Sequence, residues 1–310
     1  MAKDSDDRSF RGIACPRCGH LVGAMTDAHY DEYFRNGLST CDGCQQRFDP
    51  WTLMVDQLRR DHPYQPGIVT LGFAAITYAR FSLGRHKSQR IALSSLRVPA
   101  DARLARVMFN SDLAEGGFIR AVSSEQVIRR DYISDVIDVY GVPMGNNPPA
   151  ASSVLMRAIW IRPHEDPEME QLVAAAEAFS NRSYRQVVLS ASVAVEEKLF
   201  AIMSEFFVRF GGKDRVDSFL RQGATYGHQV GFMLPALMSF TSAPPMPEKL
   251  RAGLAELKRL RNKVAHKREE ITIAQAAGAL VAATFGYWYL KLYGPLLLGV
   301  RPPFGDPLAT

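Results

Sequence analysis

Tyr184, Val188, Ala191, Val195, Leu199, Ile202 and Phe206 recur at spacings of three and four residues. That pattern puts them on one side of an α-helix of about six turns. A stripe of this length needs other helices to cover it, so it commits the C-terminal part of the chain to a helical assembly. Ser183 with Gln186 three residues on carries the capping-box signature at the start of the stripe. Gly211-Gly212 stops it. A second stripe, Leu250, Leu254, Leu257 and Val264, follows Pro247, a residue that a first helical turn tolerates. Thr272 with Gln275 predicts a capped final helix running to about Tyr289. Shorter helices are expected near 215–222 and 227–240, so the chain reads as helical from about 170 to 298.

Residues 66–163 have a different texture. Short runs rich in β-branched and aromatic residues alternate with turn signals. The expected strands are 68–78, 90–96, 103–110, 118–123, 134–142 and 153–162, broken at Pro99-Ala100-Asp101, Glu115-Gly116-Gly117 and Gly145 to Pro149. That number and spacing predict a β-sandwich of about 100 residues. The segment holds no glycine-rich phosphate loop, no metal-ligand cluster and no nucleophile elbow. Pro163 to Pro167 is the expected linker into the helices.

All four cysteines lie near the N-terminus, as Cys15-Pro16-Arg17-Cys18 and Cys41-Asp42-Gly43-Cys44 with 22 residues between the pairs. Two C-x-x-C knuckles supply the four thiolates that tetrahedral Zn²⁺ prefers, and four protein ligands close the site, which makes the metal structural. Gly19 and Gly43 suit the knuckle turns, and His20 is expected to be exposed. A redox pair is disfavoured because no βαβ pattern follows, and disulfides because no signal peptide precedes. The pattern resembles a zinc ribbon. Local charge is mixed, so its partner is left open between protein and nucleic acid. Phe48 and Trp51 are expected to pack against the ribbon or the next element.

The expected organisation is therefore multidomain α+β: a zinc ribbon over 1–62, a sandwich-like β-rich domain over 63–163 and a helical domain over 168–300. A hydrophobic content of 47% suffices for ordinary cores, and a net charge of +5 fits a nucleic-acid partner without requiring one. No segment reads as a membrane span; the closest, 273–300, contains Gln275, Lys291 and Pro295 and fits a buried helix better. A cytoplasmic location follows as the expectation.

Within the second stripe, the eleven residues 258–268 hold six Lys or Arg and no acid. Lys258, Arg259, Lys263, Lys267 and Arg268 are candidates for tracking RNA phosphates. The alternative is a solvated basic helix end that complements the helix dipole. Arg261 and His266 combine a permanently charged fork with a side chain that gives and takes protons near neutral pH, and Asn262 follows the arginine.

The helical region resembles the HEPN superfamily of ribonucleases. The resemblance is carried by Ala178-Phe179-Ser180-Asn181-Arg182-Ser183-Tyr184-Arg185-Gln186-Val187-Val188 running into Ala194-Val195-Glu196-Glu197-Lys198-Leu199, and by Leu257-Lys258-Arg259-Leu260-Arg261-Asn262-Lys263-Val264-Ala265-His266. The second segment fits the family's motif of Arg, a polar residue, and His after four to six positions, placed late in the third main helix. The resemblance implies a helical bundle that dimerises with the motif helices facing each other. It implies cleavage of RNA by attack of a ribose 2′-OH on the adjacent phosphate, leaving 2′,3′-cyclic phosphate and 5′-OH ends with no catalytic metal. His266 would act as general base or acid and Arg261 would stabilise the transition state. Many relatives are toxins or anti-phage effectors, so the two preceding domains would sense a trigger, recruit or restrain.

Helix geometry adds a constraint. Residues five apart lie about 140° apart on an ideal helix, so one protomer gathers Arg261 and His266 poorly, whereas a twofold axis brings both sets to one cleft. Asn262 and His266 share a face. Glu196 and Glu197 on the facing helix are candidates to steer the Arg or His, against an ordinary surface role. Tyr226-Gly227-His228 precedes a helix and is a candidate to approach the cleft. The alternative to an enzyme is a non-catalytic dimerisation and RNA-binding module. A DNA-binding regulator is disfavoured because there is no helix-turn-helix candidate and the ribbon is not basic.

Overall fold

The structure, a computed structural model, describes residues 13–22, 25–60, 67–112, 116–123, 136–161, 166–267 and 269–299. The expected linker 163–167, the start of the strand expected at 134, and Arg268 lie largely or wholly outside them. The side chain of Lys267 is outside them too. The described residues fall into two compact units, one made of 13–71 together with 166–299 and the other of 72–161.

The first unit begins with the knuckles. Short hairpins β1 (Ile13–Ala14) with β2 (Leu21–Val22), and β3 (Ser39–Thr40) with β4 (Arg47–Phe48), carry the cysteines. Helix α1 (Asp27–Asn36) lies between them and α2 (Pro50–Arg59) follows. Thr26 and His29 form a reciprocal cap on α1, and Asp49 caps α2 through Thr52 N at 3.1 Å. After the short α3 (Gly67–Thr70) and the second unit come α4 (Pro167–Ser180) and α5 (Tyr184–Phe207). Next are α6 (Lys213–Ser218), α7 (Tyr226–His228), α8 (Leu234–Met238), α9 (Glu248–Lys267) and α10 (Ile273–Gly299). π-helical turns at Phe219–Gly223 and Gln229–Met233 interrupt the short helices. Such a turn leaves carbonyls unpaired within the helix. The buried Gln229 amide donates to Leu220 O and Ala224 O, both at 2.7 Å, and so ties the two turns together.

Both apolar stripes face inward. Val188, Ala191, Val195, Leu199, Ile202 and Phe206 of α5 and Leu250, Leu254, Leu257 and Val264 of α9 are buried. Gly286 lets α10 close on them, since a Cβ there would meet Leu254 Cδ2 at 2.9 Å. Thr272 caps α10 as expected: Gln275 N donates to Thr272 Oγ1 at 3.2 Å, and Thr272 N donates to Gln275 Oε1 at 3.0 Å. The corresponding cap at Ser183 does not form. Arg182 there is left-handed (φ 59°). Ser183 N donates to Ala178 O at 2.8 Å and Arg182 N to Phe179 O at 3.0 Å. This is a Schellman ending of α4. Ser183 therefore closes the preceding helix, and Gln186 turns to Ser190 Oγ at 2.9 Å. Helix α10 runs to Gly299, ten residues past the expected Tyr289, because Leu290, Tyr293, Gly294 and Leu297 stay buried. Burial outweighs the hydrogen bond that Pro295 cannot donate.

The ribbon is built into this helical unit. Trp51, Tyr30, Tyr33 and Phe34 pack on α10, with Tyr33 and Phe285 ring centroids 4.8 Å apart and Trp51 and Phe285 5.1 Å apart. Tyr293 Oη donates to Asp31 Oδ1 at 2.6 Å, and Lys249 Nζ reaches Asp49 Oδ2 at 2.6 Å. Asp166 caps α4 and receives Lys198 Nζ at 3.0 Å and the Tyr287 hydroxyl. One carboxylate thus joins α4, α5 and α10.

The second unit has strands β5 (Ala75–Gly84), β6 (Ser88–Ala92), β7 (Arg103–Ser111), β8 (Gly117–Ser123), β9 (Val136–Gly145) and β10 (Ala151–Ile161). They form two antiparallel three-stranded sheets, β5-β10-β7 and β6-β9-β8. Leu83, Val107, Val154 and Met156 of the first sheet share one core with Ile119, Ile137 and Val139 of the second. The run expected as a strand from 68 splits into α3 and β5, because the chain turns at Gly72 (φ 79°). The run 90–96 ends in a 3₁₀ turn, Leu93–Leu96. No helix among the described residues is long and apolar enough to cross a membrane.

Candidate metal centre and the α5–α9 face

Each knuckle is closed by the same backbone bonds. Gly19 N donates to Cys15 O at 3.0 Å and Cys15 N to His20 O at 2.8 Å; Gln45 N donates to Cys41 O at 2.8 Å and Cys41 N to Gln46 O at 2.9 Å. The left-handed position is Gly19 (φ 68°) in one knuckle and Gln45 (φ 59°) in the other. Gly43 therefore serves a different purpose from the turn expected of it. The His20 ring lies against it, and a Cβ there would stand 2.5 Å from His20 Cγ. His20 itself is exposed, and its amide points at Cys18 Sγ at 3.4 Å.

The Sγ atoms of Cys15, Cys18, Cys41 and Cys44 lie within 4.8 Å of one another, with Cys15–Cys44 and Cys18–Cys41 both at 3.8 Å. Four sulfurs placed tetrahedrally at a Zn–S distance of about 2.3 Å are about 3.8 Å apart, so the cluster has the size of a zinc site. A disulfide needs about 2.05 Å, and the four cysteines are free thiols. Backbone N–H groups of Cys18 and Arg17 hold the Cys15 thiol down to about 6, whereas at Cys18 the pull of the His20 amide is outweighed by burial and the neighbouring thiols, which push the thiol up to about 12. The four cysteines can hold a zinc ion.

The second locus is the face shared by α5 and α9. Arg261 projects toward α5, with Nη2 3.9 Å from Glu196 Oε2 and Nη1 3.4 Å from its neighbour Asn262 Oδ1. Lys258, one turn earlier, lies over the α7 turn: a Cβ on Gly227 would stand 2.3 Å from its Nζ. Burial raises the Glu196 carboxyl above its usual range, against the pull of Arg261 and Lys258. Tyr226 lies close enough to feel Glu196; burial first and that charge second push its phenol up. Its hydroxyl oxygen is buried with no hydrogen-bond partner.

The other candidates point elsewhere. Asn262 and His266 are exposed on the outer side of α9. Arg259 is held by Glu256 through Nε at 2.6 Å and Nη2 at 2.5 Å, and Lys263 by Glu269 at 2.6 Å. The basic run is thus partly neutralised by acids that flank it in sequence. Arg185 donates to Val264 O at 3.1 Å and anchors the last turns of α9 to α5. Within one chain the fold sets Arg261 beside Glu196, with Tyr226 near that same carboxylate and Lys258 over the adjoining turn, and leaves His266 exposed.

Sequence reasoning offered Glu196 to steer the Arg or His and Tyr226 to approach the cleft; the fold sets Glu196 beside Arg261 and Tyr226 near Glu196. That reasoning missed Phe200, Arg221 and Gln229, which line the same cleft, because no local pattern sets them apart from ordinary helix residues. No family model matches the chain, and no curated protein and no solved structure matches it.

Proposed function

We propose that the chain is a metal-independent endoribonuclease that leaves 2′,3′-cyclic phosphate and 5′-OH ends, and that it acts as a regulated toxin or anti-phage effector. The observation that carries this reading is the placement of Arg261. It stands on the α5–α9 face beside a half-buried carboxylate and Lys258, with Asn262 next to it in sequence and His266 five residues on, both open to solvent. Arg261 would bind the scissile phosphate and stabilise its developing charge, and His266 would move the proton of the 2′-OH or of the leaving oxygen. Because one protomer keeps Arg261 and His266 apart, the working cleft is assembled by two copies around a twofold axis. Cys15, Cys18, Cys41 and Cys44 would hold Zn²⁺ as a structural ion that braces α1 and α2, with no part in the reaction.

The test incubates the purified protein, Arg261→Ala and His266→Ala with total RNA in the presence of EDTA. Cleavage by the unaltered protein alone is expected, with each variant slower by about 10²–10⁴-fold. Growth of cells expressing each form is the second arm, with arrest by the unaltered protein only. Intact RNA and equal growth throughout would favour the alternative, a non-catalytic dimerisation and RNA-binding module. The observation on that side is the separation of Arg261 from His266 within one chain.

A further inference from the structure

The cleft beside Arg261 holds one polar group without a partner and a carboxylate met only by a long ion pair. Glu196 is half-buried, and its ion pair with Arg261 spans 3.9 Å, beyond hydrogen-bond reach. The Tyr226 hydroxyl is buried without a partner. Buried polar groups in native proteins are nearly always hydrogen-bonded, so an unmet hydroxyl beside a half-buried carboxylate in one cleft marks a place for a ligand. At about 240 Å³ the cleft falls a little below the range of roughly 300–1,000 Å³ that suits drug-sized ligands, which is right for one flat ring system. One wall is a ready stacking surface, since the Arg221 guanidinium lies over the Phe200 ring at 4.1 Å. Unstacked RNA bases are recognised on such aromatic and arginine planes, through hydrogen bonds to their Watson–Crick edge.

We infer that this cleft is a base pocket that selects guanine, with Glu196 and Tyr226 as its specificity-determining residues. The inference rests on the ribonuclease reading and names the preference of that same site. A carboxylate only accepts hydrogen bonds. Guanine alone among the four RNA bases presents two adjacent donors, N1–H and the N2 amino group, on its Watson–Crick edge. Adenine and cytosine place an acceptor nitrogen next to their single amino group, and uracil flanks its one N–H with carbonyls; each of these would set a lone pair against the Glu196 carboxylate. The Tyr226 hydroxyl is left to donate to an acceptor on the same base. Arg261 stands 3.9 Å from the lining Glu196 and Lys258 lies over Gly227, next to Tyr226, so the phosphate of the bound nucleotide would lie on that side.

The test measures binding rather than cleavage. Guanosine, adenosine, cytidine and uridine 5′-monophosphates are titrated into the full-length, zinc-loaded protein by calorimetry. Guanosine monophosphate is expected to bind about tenfold or more tighter than the other three, the discrimination of a good bidentate pair. Glu196→Gln places an amide donor against the guanine donors and should erase that preference. Tyr226→Phe should weaken guanosine monophosphate by roughly two- to tenfold. Because Tyr226→Phe is nearly isosteric, it carries the test if Glu196→Gln does not fold. His266→Ala should slow cleavage by about 10²–10⁴-fold and leave guanosine monophosphate binding unchanged, which separates the pocket from the proposed reaction. Equal binding of all four nucleotides would overturn the inference. So would no saturable binding at millimolar nucleotide, or a guanine preference that survives both pocket variants.

Discussion

Trp51 Cη2 lies 2.7 Å from the point where a Cβ on Gly253 would stand. The ribbon's tryptophan thus fills a notch that only glycine leaves in α9, with the Ala282 methyl of α10 also bordering it. Gly→Ala inside a helix ordinarily gains about 1 kcal/mol. Here overpacking of about 1–3 kcal/mol opposes that gain. Gly253→Ala should therefore bring no stabilisation, and Trp51→Ala should cost about 3–5 kcal/mol. Denaturant unfolding of both variants checks this; a more stable Gly253→Ala would contradict the wedge.

Metal loss should reach beyond the ribbon. The helices between and after the knuckles carry Tyr30, Tyr33, Phe34 and Trp51 onto α10. Mass spectrometry should find one zinc ion per chain. Cys41→Ser should lose it, with a melting temperature several degrees lower at roughly 2–4 °C per kcal/mol. Unchanged melting after metal loss would mean that the aromatic packing holds the ribbon by itself.

Asp166 predicts a pH dependence. Burial alone would raise its carboxyl, but hydrogen bonds from the Glu168 carboxyl and the Tyr287 hydroxyl, with the Lys198 ammonium, hold it well below the ordinary carboxylate range, while burial and the bond to Asp166 push Glu168 up. A group depressed in the folded state stabilises fully above its unfolded pKa of about 4 and loses that contribution as pH falls toward the folded value. Asp166→Asn should cost about 1–3 kcal/mol at neutral pH. The difference from the unaltered protein should shrink on acidification below about pH 4. A constant difference across that window would assign the loss to shape rather than charge.

The composite cleft makes a prediction about mixtures. Arg261→Ala and His266→Ala protomers, each inactive alone, should recover part of the cleavage when unfolded and refolded together. The mixed dimer supplies one Arg261 and one His266 to the shared cleft. No recovery, with mixed dimers present by native mass spectrometry, would place the whole site in one chain.

Much of the helical part was legible locally. The stripes of α5 and α9 follow from apolar spacing, and the Thr272 cap from two residues three apart. The four cysteines follow from knuckle spacing, because a metal site is written in ligand identity. Where local signs failed, a neighbouring element had a competing claim. Ser183 carried a cap signature, yet its backbone closes α4 through left-handed Arg182. Gly43 looked like a turn glycine, yet it yields space to His20 while Gln45 takes the left-handed turn.

The sequence by itself determined the buried stripes of α5 and α9, where the thiolates gather, and that Arg261 and His266 diverge on one helix, since each depends only on spacing along the chain. The tertiary structure alone decided that the ribbon belongs to the helical unit, and that Arg261 meets Glu196 while Arg259 and Lys263 are held by acids. Those relationships depend on how side chains from distant segments fill one another's space and satisfy one another's charge. Periodicity says which face of a helix is buried, and only packing says what it is buried against.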